Sequence, residues 1–315
     1  MNSRGRTRPD LFRAIAITLL LNFLVPTAWT AEPASPVFGR NSYIEYQPGE
    51  LPIVISAPHG GRERPEEIPD RTQGVLAMDT NTQELARAVA DEFFARTGQR
   101  PHRILCRLQR RKLDCNREIV EAAAGHPIAE QAWKEYHGFL ETARAAVVAK
   151  HGRGFYVDLH GHAHKEQRLE LGYLLDAAQL VRSDAELRQG DFSAKSSLRR
   201  LVADRPAGFS ELLRGPRSFG AWLEKEGFPC SPSPANPRPP VPFFRGGYSV
   251  QRHAAEAEHF AGLQIETYFK GVRDNAASRT NFSRALVKAT TIFLVEQMKL
   301  TLPDAAPSKS AAPSK

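Results

Sequence analysis

The sequence predicts an α/β fold, a three-layer α/β/α domain around a mixed, mostly parallel central sheet, and three observations predict it. Short apolar, β-prone runs alternate with helix-length amphipathic patterns, the order that packs helices onto the faces of a sheet. Two of the runs, ending at Ala57 and Leu159, pass directly into polar, glycine-containing chain, which is how strands end at the ligand-binding edge of an open α/β sheet. Between the two termini lie about 270 residues, enough for one domain with a substantial core.

In chain order, Ser42–Tyr46 and Ile53–Ala57 read as the first strands. Thr80 to Thr97 predicts a helix opened by a Thr80-x-x-Gln83 capping box, lined by Leu85, Val89 and Phe93, and closed by Gly98. His102–Leu108 is the next strand, and Pro127–Lys150 a long helix with Phe139, Ala143 and Val147 on one face. Gly154–Leu159 and Leu169–Leu175 are strands, followed by shorter helices near Phe209–Leu213 and Arg217–Glu226. Phe228–Gly247 carries seven prolines and no periodicity, which predicts an ordered irregular loop near a site or a mobile flap. Leu263–Thr267 is the last strand and Ser278–Lys299 the last amphipathic helix.

The termini stand outside this domain. Arg4, Arg6, Arg8 and Arg13 precede an apolar run, Ala14 to Val25, and small residues around Ala28 to Ala31. That order reads as a secretory signal peptide over residues 1–31 and implies a secreted or periplasmic protein. The run is about half of the ~20 residues a spanning helix needs, so no stable membrane span is expected after cleavage. Residues 303–315 are almost wholly Ala, Pro, Ser and Lys, a composition that predicts a disordered tail. A single domain is thus expected over residues 32–302.

The formal net charge is +8, and its densest cluster is Arg107, Arg110, Arg111, Lys112 and Arg117. No aromatic platform or recognition helix accompanies it, so a small acidic substrate accounts for it more economically than nucleic acid. The three cysteines, Cys106, Cys115 and Cys230, are too few for a disulfide scaffold and too dispersed for a thiolate zinc site; they read as small buried hydrophobes.

The chemistry concentrates at strand ends. Ser56-Ala57-Pro58-His59-Gly60-Gly61 and Asp158-Leu159-His160-Gly161-His162-Ala163-His164 each follow an apolar strand. Zinc takes imidazole and carboxylate ligands where thiolates are absent, and a catalytic zinc keeps three protein ligands and one open position. His59 and His160 would supply two. The alternating histidines also fit a metal-scavenging run without catalytic role.

Taken in order, Ser-Ala-Pro-His-Gly-Gly at 56–61, Asp79-x-x-Thr82, Arg-Lys-Leu-Asp-x-Asn-Arg at 111–117, Asp-Leu-His-Gly-His at 158–162, Leu-Gly-Tyr at 171–173, Gly-Gly-Tyr at 246–248 and Gln-Ile-Glu at 264–266 resemble the N-formylglutamate amidohydrolases. The zinc carboxypeptidases look like distant relatives, sharing the order histidine, Asn-Arg pair, strand-end histidine and late strand-end glutamate. The resemblance implies one zinc ion held by His59 and His160, a carboxylate clamp of Asn116 and Arg117, and Glu266 as general base, with Glu170 its rival. For the third ligand it offers Asp79; where the carboxypeptidase pattern has a glutamate this chain has Arg62, with Glu63 next to it, so Glu63 is the alternative. Arg111 would polarise the scissile carbonyl or steady the oxyanion, and Arg252 would bind a second anionic group. Arginine suits these tasks because its planar fork matches a carboxylate.

The implied function is hydrolysis of an amide in a small carboxylate-bearing N-acyl amino acid. Formylglutamate is a cytoplasmic intermediate of histidine breakdown, so the export signal separates this chain from that substrate. A carboxypeptidase or peptidoglycan-type amidase is the alternative. A periplasmic binding protein without catalysis would need Arg117 but not Glu266.

Overall fold

Side-chain alternation along eight strands divides one sheet into two apolar faces and leaves a polar row at one end. The strands are β1 (Val37–Phe38), β2 (Ile44–Gln47), β3 (Ile53–Ala57), β4 (His102–Cys106), β5 (Gly154–Gly161), β6 (Leu169–Gly172), β7 (Cys230–Ser231) and β8 (Phe260–Thr267). They lie in the order β1-β2-β4-β3-β5-β8-β6-β7. The central strands β4, β3, β5 and β8 are mutually parallel; β2 and β6 flank them antiparallel, and β7 runs parallel to β6. This computed structural model describes residues 34–203 and 208–304, besides Met1. Beyond Met1, the signal segment expected over residues 1–31 lies outside the described residues, as does the tail from 305 onward. No helix among the described residues is long and apolar enough to cross a membrane.

On one face Ile53, Ile55, Phe155, Val157, Leu263 and Ile265 pack under the helices Thr82–Thr97, Phe219–Lys225 and Ala276–Phe293. The intervening residues Val54, Tyr156 and Phe260 face the other way, toward Trp133, Tyr136, Leu140 and Val147 of the helix Pro127–His151. The mixed, mostly parallel sheet with helices on both sides is the architecture the alternation of runs predicts. Phe155, fully buried, sits between Phe219 and Phe293 with ring centroids 5.8 and 5.3 Å away. Phe155→Ala is therefore expected to lower unfolding free energy by about 3–5 kcal/mol, read as a shifted denaturant midpoint at unchanged slope.

Most element limits move by a few residues. β5 runs on to Gly161, which places His160 inside the strand instead of beyond it. The last helix is α-helical over Ala276–Phe293 and ends in a π turn, Leu294–Met298. The capping box does not form. The helix begins at Thr82 after Asn81 in the left-handed region (φ 65°), because Gln83 donates instead to the Cys106 carbonyl and Asn81 to the Arg273 carbonyl. Four short helices between Ala177 and Val202 were not expected, since four to six residues are too few to display a period.

The three cysteines are free and buried. Each member of the basic cluster has a carboxylate neighbour: Arg107 pairs with Glu63, Arg110 with Asp114, Arg111 and Lys112 with Asp70, and Arg117 with Glu121.

Candidate functional site

The polar row at the carboxyl end of the parallel strands is continuous with the face carrying Val54, Tyr156 and Phe260. Period-two alternation puts Ser56 of β3, Asp158 and His160 of β5, and Gln264 and Glu266 of β8 on that same face. Registry then aligns them: Ser56 is opposite Asp158, Asp158 opposite Gln264, His160 opposite Glu266, and Glu266 opposite Glu170 of β6. His59 follows β3 after Pro58. The chain can turn there because Gly61 packs against β4's exit, where a Cβ would lie 2.3 Å from the carbonyl oxygens of Arg107 and Leu108. Asp79 arrives from the loop before Thr82, its N–H donating to the His59 carbonyl at 3.1 Å.

His59, Asp79 and His160, all buried, turn one atom each toward a common point. The two Nδ1 atoms are 3.1 Å apart, and Asp79 Oδ2 lies 3.4 Å from His59 Nδ1 and 3.3 Å from His160 Nδ1. Ligands about 2.0–2.1 Å from a tetrahedral zinc are about 3.3 Å from one another, so the donor set fits such an ion. Glu63, the alternative third ligand, is instead paired with Arg107.

The far sides of both rings strengthen the fit. His59 Nε2 is 2.6 Å from Asp114 Oδ1, and His160 Nε2 is 2.9 Å from Asp158 Oδ2. A carboxylate can only accept, so each ring carries its proton on Nε2 and aims the Nδ1 lone pair at the shared point. Three lone pairs this close repel unless a proton or a cation lies among them. Burial opposes a proton on His160, but Asp158, Asp79 and Glu266 outweigh it and hold its pKa well above the ordinary histidine value. Asp79, despite burial that would raise it, is held well below the usual carboxylate range by the two histidines. Asp114 is likewise depressed, with His59 and Arg110 overcoming its burial; Arg110 Nε lies 2.9 Å from Asp114 Oδ2.

Glu266 stands just outside the trio, its Oε1 4.0 Å from His160 Nδ1 and 2.9 Å from Gln264 Nε2. Burial above all, with Asp79 and Glu170 adding to it against His160 and Arg110, pushes its carboxyl up to about 8. Glu170 is also buried, but both its oxygens are engaged, Oε1 with His164 Nδ1 at 2.6 Å and Oε2 with the Phe244 N–H at 2.7 Å. His162, His164 and Glu170 form a second group that could hold a metal. Its geometry reads better as hydrogen bonding, since His162 Nδ1 already accepts the His164 N–H at 3.1 Å.

A cavity of about 330 Å³ opens over Glu266 and the trio, with Arg110, Arg117 and Arg245 on its wall. Asn116 lines it too, its Nδ2 3.3 Å from Gln264 Oε1 and its Oδ1 accepting the Ser249 N–H at 2.8 Å. Arg117 keeps one nitrogen on Glu121 and one on the Asn116 carbonyl. Two expected residues lie elsewhere. Arg111 pairs with Asp70 at the surface, 3.3 Å away, because residues 109–113 form a turn in which neighbouring side chains diverge, and Arg110 takes the inward place. Arg252 pairs with Glu141 at 2.6 Å, donates to the Tyr248 hydroxyl and lies over the Trp133 ring, so it fastens the helix Pro127–His151 to the chain after Gly247.

Sequence reasoning gave no role to Asp114, Asp158, Arg110 or Arg245. Asp158 had a readable signal, standing two residues before His160 on the same strand face. Asp114 and Arg110 had none, because only the folded turn shows which way they point. Arg245, exposed at the cavity mouth, has no carboxylate partner among the described residues.

Comparison with known proteins adds little to this geometry. No family model matches the chain, and no curated protein matches it. Among solved structures, an N-formylglutamate amidohydrolase from Ralstonia eutropha is similar at 15% identity and a TM-score of 0.49, covering 81% of this chain and 98% of its own. A protein from Agrobacterium tumefaciens is similar at 13% identity and a TM-score of 0.49, covering 79% and 94%. Likenesses of this size assign no activity to the chain.

Proposed function

We propose that this protein is an exported, metal-dependent amide hydrolase acting on a small carboxylate-bearing N-acyl amino acid of the N-formylglutamate type. One observation carries the proposal: two imidazoles, each backed by a buried carboxylate, converge with Asp79 3.1–3.4 Å apart, beside a buried glutamate at 4.0 Å. His59, Asp79 and His160 would hold one divalent cation, and two nitrogens with one oxygen suit zinc. Bound there, the ion supplies Lewis acidity to the amide carbonyl and to the attacking water. Glu266 takes the proton of that water, and its raised pKa suits it to keep the proton and pass it to the leaving nitrogen. Gln264 orients the carboxylate for that work. Arg245, with no carboxylate partner among the described residues, would take the substrate carboxylate, helped by the Arg117 nitrogen that Glu121 and the Asn116 carbonyl leave open, with Asn116 fixing the wall beside them. Export rests on the basic, apolar, then small order of residues 1–31 alone.

Elemental analysis of the purified mature protein beside His160→Ala tests the reading. Near-stoichiometric zinc in the wild type, lost in the variant, is the expected result. No metal in either after zinc is offered would replace the hydrolase with a carboxylate-binding protein.

A further inference from the structure

We infer that the site carries a second, mostly apolar subsite, past Asp79 from Arg117 and Arg245, built for an aromatic or bulky alkyl acyl group. The inference rests on the hydrolase reading above and narrows its substrate class, from carboxylate-bearing N-acyl amino acids in general to those with a large apolar acyl group.

A second cavity, of about 610 Å³, adjoins the first and shares Asp79, Arg110, Gly161, Val75 and Phe244 with it. The two are thus one cleft that passes the metal ligand Asp79. Arg117 and Arg245 line only the smaller part, and Phe269, Ala77, Met78 and Ala163 only the larger one, where they join the shared Val75 and Phe244; Val75, Phe244 and Phe269 are 47%, 44% and 43% exposed. Arg273 also lines the larger part, but its guanidinium is spent on the carbonyls of Thr80, His162 and Thr267 at 2.6, 3.0 and 3.2 Å. Three of its five N–H donors are thus occupied, and the guanidinium lies over the Phe269 ring, 5.2 Å from its centroid.

Both aromatic rings face water, each against a polar side chain. Phe244 stacks on His164 with centroids 4.7 Å apart and planes 18° from parallel, and its N–H is fixed by buried Glu170. Wetting two rings costs free energy that a ligand covering them would recover, and the stacking of Phe244 removes part of the entropy cost of ordering it on binding. A formyl group beside Asp79 would leave both rings wet. A phenyl or branched alkyl group would cover them while its amide lies at the metal ligands and its carboxylate meets Arg117 and Arg245.

The test is calorimetric binding of two probes, N-acetylglutamate and N-phenylacetylglutamate, to zinc-loaded Glu266→Gln, with and without Phe269→Ala. Phe269 is half exposed, so its removal leaves the core intact. The phenylacetyl probe is expected to bind at least about tenfold more tightly, and Phe269→Ala to abolish most of that preference. Equal affinities, no measurable binding of either probe, or a preference that survives Phe269→Ala would overturn the subsite. Turnover of the same pair by the wild type is read separately: hydrolysis of neither strikes the hydrolase reading, while the binding ratio still decides the subsite.

Discussion

Glu266→Gln is expected to lower turnover of a susceptible amide by about 10²–10⁴-fold while leaving zinc content near that of the wild type. The separation of the two effects follows from geometry. Glu266 Oε1 lies 4.0 Å from His160 Nδ1, whereas the three converging atoms stand 3.1–3.4 Å from one another. Glutamine keeps the shape and the contact with Gln264 but cannot carry a proton between water and nitrogen. Since burial already favours the neutral form of Glu266, exchanging it for a neutral amide should disturb the fold little. Assay of initial rates beside elemental analysis checks both halves. Full activity in the variant would transfer the base elsewhere, and loss of zinc would make Glu266 a ligand.

How much of this was readable in the sequence depends on whether a residue's place is set by a strand or by a turn. His59, His160 and Glu266 stand at or just beyond strand ends, where period-two alternation fixes the face and the parallel order fixes the edge. Asp79 was legible only as a resemblance, because its position comes from a backbone hydrogen bond to His59 across the loop. Arg110 and Arg111 show the limit most clearly: they are adjacent, chemically identical, and separated in space by the turn that Lys112 and Gln109 close. The Thr80 capping box failed for a related reason, since Gln83 found a partner on β4 that no local pattern announces. Phe244 and Phe269 lie in irregular chain, so their meeting in one cleft could be seen only after folding.

Zinc uptake by the chelator-stripped protein is expected to release more protons at pH 7 than at pH 9. In the absence of the ion, the carboxyl of Glu266 is raised from 4.5 to about 8, so it is protonated at pH 7, and His160 holds its proton more firmly than an ordinary histidine. A cation among the Nδ1 atoms must displace the His160 proton, and its charge pulls Glu266 down, so both groups give up protons on binding. Above about pH 8 Glu266 has already ionised and its share vanishes. The sign carries through to stability. Both groups bind more protons folded than unfolded, so the stripped protein should lose stability as pH rises, Glu266 contributing between about 4.5 and 8. Zinc works in the opposite direction, because its affinity grows as these protons leave. Titration calorimetry in two buffers of different ionisation enthalpy counts the protons, and Glu266→Gln should erase most of the difference between pH 7 and pH 9. An equal count at the two pH values in the wild type would place the titrating group somewhere other than beside the converging histidines.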